Sequence, residues 1–199
     1  TQTFFLAPNI ENTYAANHKS HALIDGEAFL GIQKPLREKL EGQFGLAVAT
    51  TGNAALSGNI WNDADSTFNN FTYRYQVKHT HLAIKGKLLA DRDYVVIPWI
   101  GGSLGVGFNK AHNFTNTPTI SEAVVMPNFT NNTTTALTYT LGAGIQRNLN
   151  SHTQVGIGYE FADWGQSQLG RASGQTVNTG LALSHLYTNG FLINFTCHA

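Results

Sequence analysis

Charge is what this chain has least of. Only 12% of its 199 residues are charged, 12 basic against 12 acidic, about half the fraction usual in a globular protein. The zero net charge leaves no basic face to hold nucleic acid electrostatically. Cysteine is nearly absent: Cys197 is the single example. An intramolecular disulfide is therefore excluded, and a lone thiol near a terminus reads as a bystander rather than a redox or metal centre. No run of about 18 apolar residues occurs, which excludes a transmembrane helix but says nothing against a membrane barrel, whose signal per strand is much weaker. Thr1 opens the chain with no charged n-region or apolar h-region, as expected of a processed form or of one made without a signal. P-loop, dinucleotide and Gly-x-Ser-x-Gly motifs are missing. Gly101-Gly102-Ser103-Leu104-Gly105 lies inside a strand pattern with no helix after it, a poor phosphate cradle.

What the chain does have is alternation. Val155, Ile157, Tyr159 and Phe161 fall on one face of a strand, and Gln154, Gly156, Gly158, Glu160 and Ala162 on the other, because successive strand side chains point to opposite faces. The same pattern recurs in Tyr94–Asn109, Ala136–Arg147 and the last strand, Leu181–Thr196. With Phe4–Ala7, Ala22–Gln33, Gln43–Thr51 (extending toward Ile60), Asn70–Leu89 and Thr153–Trp164, eight strands are expected. Several exceed the usual soluble length of about 5–6 residues. Lys34–Glu41, Ala90–Asp93 and Asn148–Ser151 are short polar turns. Pro8–Ser20, Gly52–Phe68, Lys110–Thr135 and Gly165–Thr179 are long and rich in Asn, Thr, Ser and Gly. Short turns at one end and long loops at the other are the layout of outer-membrane barrels.

The expected fold is thus all-β, one domain over residues 1–199: an eight-stranded antiparallel up-and-down transmembrane β-barrel with short periplasmic turns and long extracellular loops. Its small interior residues suit a narrow lumen filled by side chains. In Asn70–Leu89 the apolar positions change from odd (Phe71, Tyr73, Tyr75, Val77) to even (Leu82, Ile84, Leu88), so a β-bulge is expected near Lys78–His81. On that register Asp25, Glu27, Arg74, Lys78 and Glu160 point inward, as a salt-bridge network plugging the lumen or as an ion path, since buried charge must be paired. Tyr73, Phe108, Tyr139 and Phe161 mark an aromatic girdle at the loop ends of the strands, and Tyr94 and Phe195 one at the turn ends.

The segment Gly156–Gly170, Gly-Ile-Gly-Tyr-Glu-Phe-Ala-Asp-Trp-Gly-Gln-Ser-Gln-Leu-Gly, followed by Leu186-Tyr187-Thr188-Asn189-Gly190 and the alternating last strand, resembles the small outer-membrane β-barrels of the OmpA-like and opacity-protein type. The likeness is nearest to surface proteins of intracellular gammaproteobacteria such as Legionella and Coxiella, and it covers roughly residues 94–196. It departs at the end, where Phe195 is followed by Thr196-Cys197-His198-Ala199 rather than closing the chain.

Other chemistry finds little support. His79 and His81 share a strand face but have no third metal ligand nearby in sequence. His18, His21 and His112 have no convincing partners. Ser184 and His185, as neighbours on a strand, point to opposite faces and make no Ser–His couple; Ser151 and His152 lie in or beside a short turn. No catalytic residue, metal or cofactor is expected. The function expected is that of a non-enzymatic outer-membrane surface protein, structural or adhesive through its extracellular loops, where binding usually resides. Its partners would be outer-membrane lipid and lipopolysaccharide and a host or matrix ligand, with no nucleic acid; adhesion itself is what the resemblance implies. Two alternatives are a narrow porin or ion channel and a soluble lipocalin-like carrier. Trp61, Phe68, Phe71 and Phe114 are read as binding anchors or as part of the interfacial girdle.

Overall fold

A computed structural model describes residues 1–7, 10–17, 21–90, 95–124 and 126–197. Eleven strands and no helix occur among them: β1 (Gln2–Ala7), β2 (Ile10–Ala16), β3 (Asp25–Arg37), β4 (Leu40–Asn62), β5 (Asn69–Leu89), β6 (Ile97–Pro118), β7 (Asn132–Asn150), β8 (Thr153–Asp163), β9 (Ser167–Gln168), β10 (Ala182–Leu183) and β11 (Tyr187–Cys197). Nine form one sheet in the order β1-β2-β4-β5-β6-β7-β8-β11, with β3 also on β4. Every pairing is antiparallel. β9 and β10 pair separately.

The central strands are longer than the sequence suggests. β4 takes the expected extension toward Ile60 and runs on to Asn62, into the expected loop Gly52–Phe68, and β6 continues past Asn109 to Pro118. Asn53, Thr115 and Thr117 are exposed, while Ile60 and Phe114 are buried and Asn62 and Asn116 turn inward to bond Asn12 and Asn128, so the extension is held from its inner face. β2 lies within the expected loop Pro8–Ser20. It shares one edge of β4 with β3: Asn12–Ala16 oppose Asn62–Gly58, and Asp25–Arg37 oppose Thr51–Leu40.

The sheet is strongly curled. Glu160 on β8 lies 3.6 Å from Lys85 on β5, although three strand spacings in a flat sheet would separate them by roughly 14 Å. The ladder does not close, however, and no pairing joins β11 to β1 or β3 among the described residues. The expected eight-stranded closed barrel is therefore seen only as an open, all-antiparallel sheet.

β5 keeps one register throughout its inner face. Its odd positions from Phe71 to Ala83 are buried and the even ones largely exposed. No bulge occurs in β5 near Lys78–His81; the irregularities in its two ladders lie between Thr50 and Asn53 on β4, at Asn70 of β5 opposite Ile60 and Trp61, and beside Asn113 on β6, whose φ is 57°. The apolar residues change parity for a different reason. Toward the long loops the inside is apolar and the outside polar. Toward the short turns the outside is apolar and the inside polar or small.

β3 and β4 meet at a two-residue turn, Glu38-Lys39, where Lys39 has φ 67°. This left-handed conformation costs a residue with a Cβ about 1 kcal/mol. Lys39→Gly should therefore stabilise the turn by a fraction of that, read as a small rise in the urea midpoint.

Candidate functional site

The inner face carries a continuous column of side chains from the short turns to the long loops. At the bottom, Trp99 on β6 lies over Gly144 and Gly158. A Cβ at either glycine would stand within 2.8 Å of the indole, so both positions must be bare for the ring to fit. Lys87 Nζ sits 4.4 Å from the centre of that ring and donates to Gln146 Oε1 at 2.5 Å; Gln146 Nε2 donates to Gln154 Oε1 at 2.7 Å. On the neighbouring strands Gln43 donates to Gln33, and Gln33 to Glu41.

Above this lies the ion cluster. Lys85 Nζ is 2.5 Å from Glu27 Oε1 and 3.6 Å from Glu160 Oε2, with all three side chains a quarter exposed or less. Asp25 is two residues from Glu27 and shares its face. The expected network thus has the right acids and the wrong bases. Arg74 and Lys78 occupy even positions of β5 and are exposed on the outer face. Lys85, not among the expected residues, takes their place. Keeping the odd parity of β5 from Phe71 onward would have found it.

Next comes a buried polar cluster. Asn109 donates from Nδ2 to the carbonyls of Trp164 and Gln166, both at 2.7 Å. Its Oδ1 therefore faces the ring of His79, 2.7 Å away, and the His79 Nδ1–H donates to it. His79 Nε2 is then an acceptor for the Nδ1–H of His81 at 3.0 Å. His81 Nε2 is left as a buried lone pair with no hydrogen-bond donor. The Trp164 ring covers both imidazoles, with centroids 4.4 and 5.1 Å apart. The two histidines do share a face, but no group of three or more metal-ligating side chains surrounds them or any other point among the described residues.

At the long-loop end the column is aromatic. Phe4, Tyr14, Tyr73, Tyr75, Phe114 and Phe129 form one buried cluster, with Tyr14 5.6 Å from both Phe4 and Tyr73 and Phe114 5.0 Å from Phe129. Burial pushes the Tyr73 phenol up to about 12, and the phenols of Tyr14 and Tyr75 rise for the same reason, with Tyr73 adding a smaller charge effect. A cavity of about 360 Å³ opens beside them, lined by Tyr14, Tyr73, Tyr75, Leu181 and His185. His185 Nδ1 lies 2.9 Å from Asp163 Oδ2, and its ring stacks on Tyr187 at 5.2 Å. The strand expected over Leu181–Thr196 is broken here: β11 starts only at Tyr187. Ser184 and His185 are therefore not neighbours on one strand, and His185 takes Asp163 as its partner.

The expected girdle residues separate. Tyr73 is buried on the inner face and belongs to the aromatic cluster, not to an outer belt. Phe71 and Phe114 are likewise buried inside, while Phe68 is exposed. Phe108 and Tyr139 are exposed on the outer face, and Phe161 packs between Tyr139 and Tyr187 at 6.2 and 5.8 Å. Phe195 is exposed near the opposite end of the sheet. Tyr94 and His18 lie outside the described residues; His112 is held by Asn53 at 3.2 Å. Cys197 is exposed. No protein-family model, curated protein or solved structure matches this chain.

Proposed function

We propose that this chain is a surface protein of the bacterial outer membrane, a β-barrel with a filled interior that meets its surroundings through the long-loop end. One observation carries the reading: an inversion of polarity along the same strands. In the half nearer the short turns, outward-facing Leu30, Leu46, Ile84, Ile100, Leu141, Ile157 and Ile193 are all more than half exposed, while the inner face holds ions and amides. Such an outer face is stable against lipid and not against water. Beyond Phe108 and Tyr139 the order reverses, as it should where a strand leaves the bilayer for water.

A groove of about 670 Å³ along this outer face, lined by Ile32, Leu36, Phe44, Leu88, Ile100 and Leu141, suits lipid chains. An apolar-ligand carrier is less well supported, because its apolar face would have to line the inside. The filled inner column favours a plug over a conduit.

Vesicle flotation tests the membrane reading. The refolded chain should float with phospholipid vesicles and resist extraction by carbonate. Recovery in the aqueous fraction would overturn the reading. In planar bilayers, steady single-channel steps from the wild-type chain would instead favour transport. The structural or adhesive role is tested by replacing the exposed residues 119–122 with Gly and Ser, which leaves Phe129 in the aromatic cluster, and asking whether binding to host cells or matrix falls while flotation persists.

A further inference from the structure

Counted around the sheet there are eight strand positions, held by β1, by β2 and β3 together, and by β4, β5, β6, β7, β8 and β11; toward the short turns seven of them are filled, because β3 takes the place of β2 and no described strand lies beyond it. β3 and β11 both run toward the short turns, since β3 is antiparallel to β4, β11 to β8, and β4 and β8 share a direction. Pairing these edges directly would put one parallel ladder into an otherwise antiparallel sheet. Bacterial outer-membrane barrels of one chain close with an even number of strands.

The open position is in line with β1. β1 runs toward the long loops beside β2, and its far side is already tied to the segment before β11: the Gln2 side chain bonds both the carbonyl and the amide of Ala182, and Phe5 N donates to Asn178 at 3.2 Å. Below Gln2 neither edge is paired among the described residues. Of the thirteen residues of β3, Gln33 alone is not exposed, and the outward Phe191, Ile193 and Phe195 of β11 are 71–93% exposed.

We propose that the cleft between β3 and β11 takes one further β-strand, collinear with β1 and antiparallel to both edges, which closes the sheet. The inference rests on the barrel reading above. About eleven residues, roughly 36 Å, match the free edge of β11. The chemistry of the strand follows from its neighbours. Outward side chains fall between Leu30 and Ile32 on one side and Ile193 and Phe195 on the other, and must be apolar. Inward ones must be small or polar. At the level of Asp25, Glu27 and Glu160, where three carboxylates face the single ammonium of Lys85, one inward Lys or Arg restores balance.

Cys197, the single cysteine, sits at the short-turn end of β11 and reports on direction. The probe is an eleven-residue peptide alternating Leu or Val with Thr, Gly and one central Lys. It carries a cysteine activated as the 2-thiopyridyl disulfide at either its amino or its carboxyl end. The Cys197 thiolate attacks the peptide sulfur and thiopyridone leaves, so no other oxidant is needed. The amino-end peptide should couple at least tenfold faster than the carboxyl-end one. The same strand fused ahead of Thr1 should make the unboiled protein run faster in SDS than the boiled one. It should also slow amide exchange along β3 and β11.

Equal coupling of the two peptides would overturn the proposal. So would a faster unboiled band from the unfused chain, which would mean direct closure. Preferential Cys197–Cys197 dimers would show that a second copy covers the edge instead. None of these results bears on flotation, so the membrane reading fails or stands separately.

Discussion

Lys85→Met is expected to destabilise the folded chain by about 1–3 kcal/mol, less than the roughly 3–5 kcal/mol of a fully buried pair, because these side chains stay 18–25% exposed. Lys85 is the ammonium between Glu27 and Glu160. Its removal leaves the two carboxylates without their cation on a partly exposed inner face. The loss reflects uncompensated charge more than the value of the pair itself. Adding Glu27→Gln and Glu160→Gln to Lys85→Met should therefore recover most of the stability. Urea unfolding in lipid vesicles, followed by far-ultraviolet dichroism, measures all of these variants. Arg74→Met is the control: Arg74 is exposed on the outer face above the apolar belt, and such surface changes usually fall within about 0.5 kcal/mol. A large loss from Arg74→Met with none from Lys85→Met would reverse the faces assigned to β5.

Asn109→Leu is expected to cost about 3 kcal/mol or more and to release the chain after β8. The native amide donates to two carbonyls, of Trp164 and Gln166, and accepts from His79. Leucine keeps the branched heavy-atom outline, with bulkier methyl groups, and satisfies none of these groups. Each buried polar group left without a partner costs about 1–3 kcal/mol. Because the two carbonyls belong to the segment that leads into the longest described connection, 164–186, local release should accompany the global loss. Limited proteolysis reads this directly: cleavage within 164–186 should become faster, while cleavage within 63–68, the connection between β4 and β5, stays unchanged. Asn109→Asp should fare no better, since it removes both donors and adds a charge. An unchanged cleavage rate would mean that the Trp164 ring, through its stacking on the histidines and its bond to Thr188 at 2.8 Å, holds the segment without Asn109.

Alternation alone determined the secondary structure of most of this chain. Val155 to Phe161, Leu137 to Ile145 and Leu104 to Phe108 specify strands and their two faces, because strand geometry has a period of two regardless of surroundings. Asp25, Glu27 and Glu160 could be placed on the inner face for the same reason, and the all-β class followed from length and turn spacing.

What the pattern could not say is which face is inside at a given height. That depends on what lies on either side of the sheet, and here the surroundings exchange places partway along β5. Read as one environment, the change from Tyr75 and Val77 to Leu82 and Ile84 looks like an extra residue. In the folded chain it is a straight strand whose inner side passes from aromatic packing to a polar column. Tyr73, Arg74, Lys78 and Lys85 were all misplaced or overlooked through that single step. The division of one strand position between β2 and β3, the break before Tyr187 that pairs His185 with Asp163, and the seven-against-eight strand count were likewise decided only by tertiary structure. Each depends on contacts between residues far apart in sequence, where local periodicity carries no information.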